Sequence, residues 1–200
     1  MRKLLTAVVV IGVIVGGTWA LVHVATAKLD ALLPDPEECT AHVGTMQASL
    51  DPEQAGNAAV IAAIGLQRGL PARAATIAIA TAMQESKLYN VTAGDRDSLG
   101  LFQQRPSQGW GTEQQILDPV HATNRFYDEL VKIHGYQSMV ITEAAQKVQR
   151  SAYPEAYGSH EAEGRALASA LTGYSPRAFT CRLDDPTEGS GKPTTLANEL

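Results

Sequence analysis

Cysteine is scarce in this chain, with two residues in 200. That excludes a miniprotein stapled by several disulfides and a zinc site of four thiolates. The five histidines are scattered without metal-ligand spacing, so no metal and no other cofactor is expected. There is no Gly-x-Ser-x-Gly elbow, no phosphate-binding P-loop and no supported Cys–His pair. Positive charge is also in deficit. Of the 16 basic residues, Arg2, Lys3 and Lys28 precede Leu29, which leaves 13 basic against 21 acidic side chains for the rest of the chain. Nucleic-acid binding needs a basic surface, so no nucleic-acid partner is expected. With 44% apolar and 18% charged residues, the composition is that of a folding chain of one domain with appendages.

The first appendage is apolar. Residues 4 to 22 carry no charge, follow Arg2 and Lys3, and are long enough to cross a hydrocarbon core of roughly 30 Å. Two readings stay open. An uncleaved anchor fits the length better, whereas a cleaved signal peptide would use Ala25-Thr26-Ala27 and release a secreted protein after Ala27. Both place the chain after Lys28 outside the cytoplasm, the anchor making it a single-pass membrane protein. In that compartment Cys39 and Cys181 can pair and clasp the two ends of the domain. The expected organisation is an anchor over 1–28, a stalk over 29–38, a folded domain over 39–181 and a disordered tail over 182–200.

Within the domain the periodicity is helical. Asp51-Pro52-Glu53-Gln54 starts a helix with a capping box, and Gly69 and Pro71 stop it after about Arg68. The next helix, from Ala72 to about Lys87, is apolar nearly all round and is therefore a buried helix. Residues 89 to 111 read as an irregular loop, and a loop that long in a compact domain is usually functional or mobile. A third helix runs from Asp118-Pro119 to about His134, with a stripe of Val120, Thr123, Phe126, Tyr127, Leu130 and Val131. Thr142 caps a fourth, to about Ser151. A fifth follows Pro154, buries Ala166, Leu167, Ala170 and Leu171, and ends at Gly173. The expected fold class is mainly α.

Glu85 is the informative residue. It lies at the end of the most apolar helix, where desolvation and the negative end of the helix dipole both favour a protonated carboxyl. A proton held near neutral pH is what a general acid requires. The plain alternative is a helix-end Glu in water. The loop that follows returns Gly94-Asp95-Arg96-Asp97-Ser98-Leu99-Gly100-Leu101-Phe102-Gln103-Gln104 toward that helix end.

Glu85-Ser86 followed by Ser98-Leu99-Gly100-Leu101-Phe102-Gln103 resembles the Glu-Ser and Gly-Leu-Met-Gln motifs of the soluble lytic transglycosylases, in the lysozyme-like superfamily. The longer string through Gln104, Trp110 and Gly111 is similar to one in cell-wall-associated proteins of actinobacteria. The resemblance implies a lysozyme-like helical domain with a small hairpin at the active-site loop. It also implies peptidoglycan glycan strands as substrate and Glu85 as general acid and base, forming a 1,6-anhydro ring. Ser98 and Gln103 would orient Glu85 or the sugar, with Gln104 beside them. Trp110 offers a stacking face to a sugar or plugs the loop. Asp95 and Asp97 supply a second carboxylate for a lysozyme-type hydrolase or serve as turn residues. The family's later Ala-Tyr-Asn motif, whose Tyr bonds near the acid, has no counterpart here; Gln149, Tyr153 and Tyr157 are the candidates for its role. A catalytically degenerate glycan-binding or scaffold domain of a wall assembly is the alternative function. A subunit of a transport or secretion assembly is a third.

Overall fold

A computed structural model describes residues 36–149 and 154–183. The expected anchor, most of the stalk, Tyr153 and nearly all of the tail lie outside the described residues. The described part opens with a hairpin. Strands β1 (Glu38–Val43) and β2 (Met46–Leu50) are joined at Gly44, and β3 (Phe179–Arg182) pairs antiparallel with the other side of β1. The three-stranded sheet has the order β2-β1-β3. No strand is expected here, yet the signal is present. Cys39, Ala41, Ala48 and Leu50 alternate with more exposed neighbours and are buried, as on a sheet with one face on a core. Cys39 and Cys181 stand opposite each other across β1 and β3 with Cα atoms 4.0 Å apart, and they form the disulfide.

Six α-helices follow: α1 (Pro52–Gln67), α2 (Ala72–Ser86), α3 (Glu113–Ile116), α4 (Pro119–Leu130), α5 (Ile141–Gln149) and α6 (Glu161–Leu171). A 3-10 segment, Pro154–His160, precedes α6. The fold is mainly α, as expected. Among the described residues no helix is long and apolar enough to cross a membrane.

Local chemistry explains the first boundaries. Asp51 accepts from the Gln54 backbone N–H at 2.9 Å while the Gln54 side chain accepts from the Asp51 N–H, so α1 starts on a complete capping box. Every residue of α2 from Ala74 to Met83 is buried, as its apolar circumference requires. It packs against α1, α4, α5, α6 and the 3-10 segment, and is the axis of the domain. Gly164 of α6 makes the closest of these contacts possible, because a Cβ there would lie 3.1 Å from the Thr76 carbonyl oxygen.

Expected boundaries and faces differ in three helices. Helix α4 ends at Leu130 rather than near His134, and Val120 and Val131 are exposed. Its buried face is Ala122, Thr123, Phe126, Tyr127 and Leu130, and Val120 lies two residues, or about 200°, around the helix from Ala122. Helix α6 buries Ala166, Leu167 and Ala168 together with Gly164, while Ala170 and Leu171 are half-buried. Thr142 lies inside α5 rather than capping it.

Candidate functional site

Helix α2 delivers Glu85 to its last turn and then stops abruptly. Lys87 and Leu88 both take left-handed conformations, with φ of 54° and 64°. Neither is glycine, so each costs roughly 1–2 kcal/mol of backbone strain. The surroundings hold the turn in place. Leu88 is wholly buried, the Gln54 side-chain amide donates to the Lys87 carbonyl at 2.8 Å, and the Asn57 amide donates to the Leu88 carbonyl at 2.8 Å. Tyr89 Oη donates to Asp51. That hydroxyl, followed by the Gln54 N–H, lowers the Asp51 carboxyl below its ordinary value, and the same contact raises the Tyr89 phenol. The start of α1 therefore fixes the exit from α2.

Glu85 is half-buried. Its partner is Tyr157, from the 3-10 segment, whose Oη donates to Glu85 Oε1 at 2.5 Å. The Tyr157 ring is 1% exposed, so a rigid, protein-covered phenol fixes one carboxyl oxygen. Among the described residues no cation pairs with Glu85. Of the three candidate residues, Tyr157 is bonded to Glu85 and Tyr153 lies outside the described residues. Gln149 points its amide elsewhere.

The loop opposite is a tight hairpin. Leu99 and Gln104 exchange both backbone hydrogen bonds, at 2.9 and 3.0 Å. Gly100 turns it with φ +74°, and a Cβ there would strike the Ile116 carbonyl oxygen at 2.6 Å. Leu101 and Phe102 at the tip are fully buried, Phe102 stacking on Phe126 with centroids 4.6 Å apart. Two side chains grip consecutive carbonyls of this tip. Ser86 Oγ donates to the Leu101 carbonyl at 2.8 Å, and Gln149 Nε2 donates to the Phe102 carbonyl at 2.7 Å. The Glu-Ser pair thus divides its labour: Glu85 faces Tyr157, and Ser86 docks the hairpin.

The loop residues singled out from sequence have their own bonds. Ser98 Oγ donates to the Asp95 carbonyl at 2.6 Å, Gln103 Nε2 to Gly100 at 3.2 Å, and the buried Gln104 Nε2 to Ala122 at 3.1 Å. These bonds shape the hairpin, and none goes to Glu85. Gln103 also packs its amide where a Cβ on Gly94 would sit. Asp97 is committed as well. Its carboxylate accepts from the Ser107 N–H at 2.9 Å and from Arg105 Nε at 2.7 Å. Ser107 foremost, with Arg105 behind it, holds this acid far below the usual carboxylate range. Asp95 is almost entirely exposed.

Trp110 is half-buried against the core and lines a cavity of about 600 Å³. Glu85 is not among the residues lining it. Among the described residues no group of three His, Cys, Asp or Glu side chains could hold a metal ion. In comparisons with known proteins, no family model and no curated protein matches this chain.

Proposed function

We propose that this chain cleaves peptidoglycan glycan strands in the manner of a lytic transglycosylase, from a lysozyme-like helical domain. The observation that carries the reading is the Tyr157–Glu85 hydrogen bond at the end of a buried helix. One carboxyl oxygen is fixed, and the other is left for proton transfer. Glu85 gives its proton to the glycosidic oxygen, and the leaving sugar departs with that proton. The C1–O glycosidic bond breaks, and the oxocarbenium-like centre left behind is attacked by the 6-hydroxyl of the sugar that carries it. Glu85, now a carboxylate, takes the hydroxyl proton as the 1,6-anhydro ring closes, and the acid is restored. One carboxyl suffices, in contrast to the usual two-carboxylate scheme. The engagement of Asp97 with Ser107 and Arg105 favours this over a hydrolase that would use Asp97 as base.

The uncharged run over residues 4–22 supports a membrane-anchored protein with this domain outside the cytoplasm. The Cys39–Cys181 disulfide agrees with an oxidising compartment.

The test is mass spectrometry of muropeptides released from purified peptidoglycan by the full-length protein. Anhydro-ended products are expected. Glu85→Gln keeps shape and hydrogen bonding but has no proton to give, so release should fall by about 10²–10⁴-fold or more. Equal release by wild type and Glu85→Gln would defeat the reading. No release by either, with strands still bound, would assign a degenerate glycan-binding domain instead.

A further inference from the structure

The cavity beside Trp110 has a charge pattern unlike the chain that carries it. The chain is net −5, yet among the described residues the cavity wall presents Arg125, Lys132 and Lys147 against one carboxylate, Glu129. Each cation has an acidic neighbour three or four residues away in the chain, but these pairs are loose or exposed. Lys132 meets Glu129 at 2.7 Å with its side chain 64% exposed, and Lys147 meets Glu143 at 3.5 Å. Arg125 shares Asp128 with Arg68. Arg68 takes the shorter contact, 2.8 Å against 3.5 Å, so Arg125 is the less neutralised of the two. Exposed pairs of this kind are worth little, and an incoming carboxylate can exchange into them at small cost. The Trp110 ring supplies an apolar wall to the same space, and 600 Å³ is the size of a small-ligand site.

The cavity and Glu85 are tied to one hairpin. Gln149 lines the cavity and holds the Phe102 carbonyl, while Ser86, next to Glu85, holds the adjacent Leu101 carbonyl. Neutral sugars have no use for three cations. A short peptide carrying several carboxylates and an amine does, and Glu129 on the same wall can meet the amine. We propose that this cavity binds the carboxylate-bearing peptide stem of the glycan strand, so that the protein selects stem-bearing over bare strands. This rests on the glycan-cleaving reading above.

The experiment uses full-length protein in detergent and two substrates: glycan strands carrying tetrapeptide stems, and the same strands stripped by an amidase. Wild type should cut stem-bearing strands with a kcat/KM about tenfold higher, the scale expected of a few complementary charges. Lys132→Glu/Lys147→Glu should abolish the preference while leaving the rate on stripped strands unchanged. Equal rates on both substrates in wild type, or a preference that survives the double substitution, would overturn the proposal and leave glycan cleavage intact. If wild type cuts neither substrate, glycan cleavage itself falls. The cavity is then judged by binding, where equal affinity for the two strands, or none, overturns it as well.

Discussion

Removing the Tyr157 hydroxyl removes the contact on which the proposed chemistry depends. Tyr157→Phe keeps the buried ring, and the 1% exposure of this residue means that packing is preserved. What is lost is the 2.5 Å bond to Glu85 Oε1. In the proposed mechanism Glu85 becomes a carboxylate as its proton leaves, and a hydrogen bond to a charged group contributes about 1.5–3 kcal/mol. If that energy holds the carboxyl in its reactive orientation, each 1.36 kcal/mol is about tenfold in rate, so kcat should fall about 10- to 100-fold. KM should stay within about twofold, because a phenol covered by protein is not presented to substrate and uniform binding is untouched. Thermal stability should drop by only about 1 kcal/mol, since the half-buried carboxyl can recover a bond from water. The assay is the initial rate of anhydromuropeptide release, with thermal denaturation of the same preparation alongside. A Tyr157→Phe protein that folds and turns over like wild type would refute the positioning argument. A large loss of stability would show instead that the hydroxyl serves folding.

Three further predictions concern the disulfide and Asp97. The Cys39–Cys181 bond spans a sequence separation of 142, and the chain-entropy model gives a loop of that size about 5 kcal/mol at most, so Cys39→Ser/Cys181→Ser should lower the denaturant midpoint substantially without changing the helical circular-dichroism spectrum at low temperature; an unchanged midpoint would contradict it. Asp97→Asn should leave glycan release within about tenfold of wild type, below the 10²–10⁴-fold typical of losing an acid–base group. Because the folded Asp97 carboxyl lies below its ordinary 3.8, its stabilising effect is present above that pH and is lost as pH falls further, so wild type and Asp97→Asn should converge in stability in strong acid and diverge toward neutrality.

What could be read from the sequence was whatever is settled within a few residues, or by having no alternative. The Asp51–Gln54 box is a local exchange of hydrogen bonds, and α2 is apolar on every side, so both are visible without tertiary knowledge. The disulfide could be anticipated because the chain has two cysteines and no others to choose between. The sheet was missed because β1 and β2 are six and five residues long and the third strand joins from the far end of the domain. Glu85 stands out in the sequence as the candidate acid, its partner less so. Tyr157 stood among three candidates, and what separates them is the 3-10 turn that carries it to Glu85. The destinations of Ser98, Gln103 and Gln104 are backbone carbonyls, which no residue pattern names in advance.

The pairing of β1 with β3 places the two ends of the folded domain side by side, with Glu38 opposite Arg182. A pull applied between the segments that flank the domain meets the Cys39–Cys181 bond first. The load passes from one flank to the other through two sulfur atoms and bypasses every residue between them. Helix α2, the hairpin and Glu85 then carry none of the tension. A protein tethered on one side and drawn by a partner on the other could be stretched along its flanks while its cleft kept its shape. Cutting that bond would put the helices themselves in series with the force.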